Sequence, residues 1–377
     1  MITAREIIFL WIARMVMLGL HFAGDVPFRT VFIAPLVFDL HGRKMSKSLG
    51  NVIDPMELVD LYGADAFRLG IVRQMRLESQ ELRFDERFCE KARDFNNKMW
   101  NALRYVRGLP EGLPRGGTLP ATGDLGLADR WILTGLRRTI EAVTGALERF
   151  EFGVAADVLL DFVWYEYCDW YLEATKVPTP TRAAVLSFVL NTVARLLHPI
   201  APFVTEEIWQ ALPHDGATIV TASWPDASEV PADPDAAARY ERLRAVVGKA
   251  REMRVELGLA PREKLTLEVP PELDEESRTL LGLHVGATLV EAGATAGDPL
   301  DSITVRAPRA LLQARYAKDV ERLDAEVARL EKKLANEGFT SKASPDVVAK
   351  EREKLASYAS ERERVRVALS ALSEDRG

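Results

Sequence analysis

Two lysines three residues apart stand in the string Lys44-Met45-Ser46-Lys47-Ser48, which continues as Leu49-Gly50-Asn51. Ammonium groups so spaced, on a loop flanked by Gly42 and Gly50, can close over a polyphosphate as point charges on its oxygens. When a carboxylate attacks the α-phosphate of ATP, negative charge grows on the leaving pyrophosphate. A cationic loop that meets this charge mainly in the transition state lowers the barrier rather than merely tightening binding. The serines add hydrogen bonds without blocking motion. The competing reading is a solvated Lys/Ser turn between a strand and a helix.

Such a loop needs elements on both sides, and the sequence predicts them. Thr30 to Ala34 is a β-branched and aromatic run that reads as a buried strand. After the loop, Asp54-Pro55-Met56-Glu57 opens a helix with Asp as N-cap and Pro at the first position. That helix stops near Gly63 and another starts at Ala64 or Asp65. Upstream, residues 4–18 are apolar almost all round, the pattern of a buried helix, and Thr3-Ala4-Arg5-Glu6 reads as its capping box. Strand, loop and helix in this order suit the later half of a nucleotide-binding α/β domain.

From about Phe88 to Leu212 the pattern is helical, with Glu90 to Val106, Asp129 to Arg149, Val154 to Ala174 and Arg182 to Leu197 as examples. Gly108 to Gly126 and residues 224–235 are linkers rich in Pro and Gly or Pro and Asp. Strand-like runs at Leu265 to Val269, Thr288 to Glu291 and Ser302 to Val305 indicate a small α/β unit. Beyond Arg309, Leu323, Val327, Leu330 and Leu334 form a seam spaced by fours and threes. Gly338 is expected to end that arm, and Ser344-Pro345-Asp346 to open a return arm. Two return seam positions, Glu351 and Arg362, are charged, which predicts a weaker or locally opened far arm.

The 377 residues exceed one ordinary core, and 47% apolar with 28% charged residues is the make-up of a folded multidomain protein. The net charge of −7 argues against a uniformly basic coat but leaves room for a local basic groove. Cys89 and Cys168 are far apart and the five histidines are scattered, so neither a disulfide framework nor a metal site is expected. Arg14 interrupts the apolar run of Ile7 to Ala13, which argues against a signal peptide. No stretch reads as long enough to span a bilayer, so the expectation is a cytoplasmic protein with no membrane partner.

The loop string, with Gly42-Arg43 before it and Leu49-Gly50-Asn51-Val52-Ile53-Asp54-Pro55 after it, resembles the second signature of class I aminoacyl-tRNA synthetases, in the subgroup handling valine, isoleucine and leucine. Further stretches resemble the same subgroup: Tyr62 to Arg68, Asp129 to Leu133, Trp164 to Lys176 and Leu197 to Gln210, read as markers built into helices rather than as catalysts. A hairpin with Asn336-Glu337-Gly338-Phe339 at its tip is similar to the valine group, as is Ile7 to Met15. An isoleucine enzyme often ends in a cysteine-rich zinc module, which is missing here. The resemblance implies a mainly α, multidomain chain. Its parts would be the second half of a Rossmann-like α/β catalytic domain (1–88), an anticodon-binding helix bundle (89–235), a small α/β unit (236–308) and an antiparallel coiled-coil arm (309–377).

It also implies roles. Lys44 and Lys47 would be catalytic, and Lys44, Met45, Ser46, Lys47 and Ser48 would hold ATP, accompanied by Mg2+ with no metal ligands visible in the chain. Trp11 would line the pocket for valine. Arg329, Lys332, Lys333 and Lys342 would contact tRNA(Val). Two departures stand out: no histidine lies in a His-x-Gly-His string, and the editing insertion is not seen. The expectation is therefore a chain that begins inside the catalytic domain, with a missing N-terminal half as a possible partner, and a monomer when complete. Pro35 after Ala34 replaces a glycine usual beside the adenine site and should end the strand there. The alternatives are a tRNA-binding module without chemistry and an isoleucine enzyme.

Overall fold

Short parallel strand pairs frame the beginning of the chain in the computed structural model. It describes all residues except 77–78, 115–117, 260–262, 294–296, 342–343 and 375–377, and the side chains of Lys47, Ser373 and Glu374 likewise lie outside the described ones. Strand Ile2–Ala4 pairs with Phe32–Ala34, and strand Leu36–Phe38 pairs with Glu81–Arg83. Pro35 sits between the second and third of these strands. Having no N–H, it ends one ladder, and the chain resumes at once against a different neighbour.

Four expectations fail here. The helix Arg5–Ala23 is not buried: Phe9 is 82% exposed and Phe22 79%, while Ile12 is buried. An all-round apolar pattern reports what a helix can bury, not what covers it. At 19 residues this helix is also long and apolar enough to cross a membrane, contrary to the reading from sequence. The capping box does not form. Thr3 belongs to the first strand with its hydroxyl buried and unpartnered, Ala4 caps nothing, and Glu6 turns to Lys44 instead. The strand Phe32–Ala34 is likewise open on one side, with Ile33 47% exposed.

The chain divides into two compact units, Met1–Tyr240 and Glu241–Gly377. In the first, helices Pro55–Tyr62 and Ala64–Gln74 follow the lysine loop, with Asp54 accepting from the Met56 N–H and Gly63 at φ 90 between them. Helices Arg87–Arg107, Leu127–Glu148, Arg182–Leu197 and Pro202–Gln210, with a continuous helix over 152–174, build a bundle. Residues Phe162–Tyr171 of that last helix wind as a π-helix, burying Tyr167, Trp170 and Tyr171. The markers find their reason in the packing. Asp65 accepts from the Phe203 and Val204 N–H groups, capping Pro202–Gln210 from another helix, while Arg68 donates to the Pro199 and Ile200 carbonyls. Buried Asp129 accepts from Tyr171, Thr181 and the Gly126 N–H. Each satisfies polar groups that would be costly to bury alone.

The second unit contains a three-stranded sheet, with Thr266–Val269 between parallel Thr288–Glu291 and antiparallel Thr304–Arg306. It also contains a hairpin of helices Arg309–Leu334 and Pro345–Glu374. Leu323, Val327 and Leu330 are buried along the seam. The far arm does not open at its charged positions. Glu351 meets Lys333 at 3.2 Å and Arg362 meets Asp324 at 3.4 Å, so each charge is answered across the hairpin. Gly338 does not end the first arm either. That arm stops at Leu334, and Gly338 lies in a separate tip helix, Glu337–Thr340, capped by Asn336.

Candidate active site

The lysine loop hangs from the end of strand Leu36–Phe38. Asp39 follows the strand and accepts from the N–H groups of His41 (3.0 Å) and Arg43 (2.8 Å) and from the Arg43 guanidinium (2.8 Å). Gly42, at φ 74, takes the left-handed turn residue these bonds require, and the chain returns so that Lys44 bridges Phe38. The Arg43 N–H first, with Asn51 and the Arg43 side chain behind it, holds the Asp39 carboxyl down at about 2 against the pull of partial burial. Asn51 completes the base of the loop through its amide, which bonds Asp39, the Lys44 carbonyl and the Ser46 N–H.

Sequence reasoning did not give Asp39, Asn51 or Glu6 a part in the site. The signal for the first was present: an aspartate at a strand end with a glycine three residues on is a turn signature.

The five loop residues do not all point one way. The Lys44 ammonium lies 2.9 Å and 3.1 Å from the two Glu6 oxygens, an exposed pair that a phosphate can displace at small cost. Met45 packs against the apolar cluster of Leu58, Leu82, Phe84 and Cys89, so it anchors the loop. With Ile53, Phe67 and Ile71 it lines an apolar hollow of about 240 Å³ under the loop. Ser46 and Ser48 face each other through their hydroxyls at 3.2 Å. Lys47 opens the short turn Lys47–Leu49, and its side chain is outside the described ones. Trp11 is 63% exposed on the helix that carries Glu6.

Among the arm residues, Arg329 pairs with Glu326 at 2.7 Å, and Lys333, besides its Glu351 pair, lies over the Phe339 ring at 4.7 Å. Lys332 is exposed without an ion pair among the described residues, and Lys342 lies outside them. Among the described residues no cluster of His, Cys, Asp or Glu could hold a metal ion.

Comparison with known proteins bears on this geometry. Residues 1–84 match the model of tRNA synthetases class I (I, L, M and V), and residues 129–269 match the anticodon-binding domain of tRNA ligase. Residues 310–373 match the valyl tRNA synthetase tRNA binding arm. The valine–tRNA ligase of Carboxydothermus hydrogenoformans is 39% identical over 405 residues, covering 100% of this chain and 45% of that protein. Over its whole length the chain is similar to the C-terminal part of valine–tRNA ligases. The valine–tRNA ligase of Bacillus subtilis is 36% identical, covering 99% of this chain and again 45% of the relative. The chain thus spans about half the length of the valine–tRNA ligases it matches, in their C-terminal part. A solved complex, Agrobacterium radiobacter K84 agnB2 LeuRS with tRNA and LeuAMS, superposes with a TM-score of 0.49 at 21% identity, covering 76% of this chain and 34% of that one. The loop on Asp39 lies within the stretch that matches the class I synthetase model, and the hairpin within the stretch that matches the valyl tRNA synthetase tRNA binding arm.

Proposed function

We propose that this chain supplies the pyrophosphate-side loop, the anticodon bundle and the arm of a valine–tRNA ligase. In that reaction the valine carboxylate attacks the α-phosphate of ATP, the bond to pyrophosphate breaks, and valyl-adenylate forms. The valyl group then passes to the 3′ end of tRNA(Val). The observation that carries the reading is one chain holding, in order, a lysine loop at a strand end, a helix bundle and an arm of the valyl type.

Lys44, released from Glu6, and Lys47 act as point charges on the pyrophosphate as its charge grows. Ser46 and Ser48 add hydrogen bonds, Met45 steadies the loop, and Mg2+ arrives with ATP. Trp11 contributes to the pocket for the valine side chain. Of the described arm cations assigned to tRNA, Lys332 is freer to meet phosphate than Arg329 and Lys333, which answer carboxylates of the hairpin. The division into residues 1–88, 89–235, 236–308 and 309–377 assigns these tasks to the catalytic part, bundle, small α/β unit and coiled-coil arm.

The test is valine-dependent ATP–pyrophosphate exchange by the 377-residue chain beside its Lys47→Ala variant. Exchange that needs valine and vanishes in the variant supports the assignment. Exchange unaltered by Lys47→Ala sinks the role of the loop. No exchange, with tRNA(Val) still bound, leaves a tRNA-holding module.

A further inference from the structure

The helix Ala64–Gln74 touches the bundle near both of its ends. Near its start, Asp65 and Arg68 hold the backbone of residues 199–204. At its other end, Arg73 Nε donates to Asp157 Oδ1 at 2.8 Å and Arg76 Nη2 donates to Asp157 Oδ2 at 3.0 Å, so both carboxylate oxygens are engaged. Through Nη1, Arg76 also donates to the carbonyls of Arg73 (2.6 Å) and Met75 (3.0 Å), closing the end of its own helix. Gly153, one turn before Asp157, is buried against that same end, where a Cβ would overlap the Met75 carbonyl and the Arg76 guanidinium. The turn ahead of Gly153 is held by the strand Phe32–Ala34 as well. Phe150, at φ 62, takes left-handed backbone that is costly for a bulky residue. Its ring lies 5.8 Å from that of Phe32, and the Phe152 ring lies 5.2 Å from it.

We infer that these contacts form a clamp that fixes the angle between the bundle and the part carrying the lysine loop, with Asp157 and Gly153 as positioning residues. Parts of a chain joined by a small interface move about it by default. One grip would leave the bundle free to pivot. Grips near both ends of an 11-residue helix, about 16 Å long, do not. Asp157 closes the second grip, because it holds two arginines that otherwise point at solvent, and Gly153 lets the two backbones meet there. The use of a fixed angle rests on the reading given under Proposed function, whereas the clamp itself stands on the contacts. A tRNA that meets the bundle and a second region of the chain gains from the second contact only where the geometry allows both at once.

Pulsed EPR on the 377-residue chain tests the clamp without requiring activity. Nitroxide labels enter through Asp60→Cys, on the helix after the lysine loop, and Lys176→Cys, past the far end of the helix over 152–174, while buried Cys89 and Cys168 stay unlabelled. The distance distribution should be narrow in this labelled chain and widen about twofold when Asp157→Ala is added. Gly153→Ala, which pushes the two backbones apart, should move its mean. Asp161→Ala, an exposed aspartate one turn further along the same helix, should do neither. Asp157→Ala should also weaken binding of tRNA(Val) on the order of tenfold and leave binding of an isolated anticodon stem–loop within about twofold, a split that loss of stability alone would not produce. A thermal melt checks that the fold is kept, and Asp157→Asn replaces Asp157→Ala should the latter not fold. A distribution that stays narrow in the Asp157 variant, an equal effect of Asp161→Ala, or tRNA(Val) and stem–loop affinities that fall together overturns the inference. Widening in a chain that binds no tRNA(Val) would count against the proposed function and leave the clamp standing.

Discussion

At the scale of single residues, the hydrogen bonds to Asp39 determine a pH response. Its folded pKa lies at about 2, below the usual carboxylate value, so its contribution is present above the unfolded pKa and is lost as pH falls through the folded one. The amide resonances of His41 and Arg43 should therefore hold still from neutral pH down to about pH 3 and move only below it. A titration near the ordinary value of about 4 would show that the carboxylate is not bonded as described. The thiols shift the other way. Burial pushes Cys89 up to about 11 and Cys168 to about 12, so both stay protonated and shielded at neutral pH. Ellman's reagent should find neither thiol in the folded chain and both after denaturation, and rapid labelling of the native protein would contradict the packing around them.

At the scale of elements, two substitutions weigh a cap against a seam. Asp65→Ala strips the cross-helix cap from Pro202–Gln210 and should cost about 1–2 kcal/mol in denaturant unfolding, with Asp65→Asn recovering part of it. Leu330→Ala opens a cavity in the hairpin seam and should cost about 2–4 kcal/mol. Elements like these were legible where a local rule suffices. The helix Arg182–Leu197 falls where its pattern puts it, Asp54-Pro55 opens its helix, and Pro35 ends its strand. Several of the misses share one cause, a partner distant in sequence. Glu6 abandons its box for Lys44, 38 residues on, and Arg362 is seated in the seam by Asp324, likewise 38 residues away. The exposed face of Arg5–Ala23 belongs to the same class, since periodicity cannot name a cover. In the candidate site, the lysines were legible from type and spacing, while their support by Asp39 and Asn51 exists only once the loop is folded back.

At the scale of the whole molecule, the two units give separate handles on stability. Asp65→Ala lies in one and Leu330→Ala in the other, so scanning calorimetry should show each variant lowering a different transition, and a common shift would mean that the units unfold as one. The apolar face of Arg5–Ala23 sets a second whole-molecule property. Phe9→Lys combined with Phe22→Lys should reduce self-association in light scattering, because both rings lie exposed on the same apolar helix. The grip of Asp65 and Arg68 on residues 199–204 has a consequence for how the protein tolerates change. Both side chains hold backbone atoms alone, two carbonyls and two N–H groups, so the shape of that turn is prescribed while its lettering is largely free. In a saturation library, Phe203, 64% exposed, should accept most replacements, whereas Asp65 and Arg68 should accept few. The residues that read a turn are then more constrained than the turn they read.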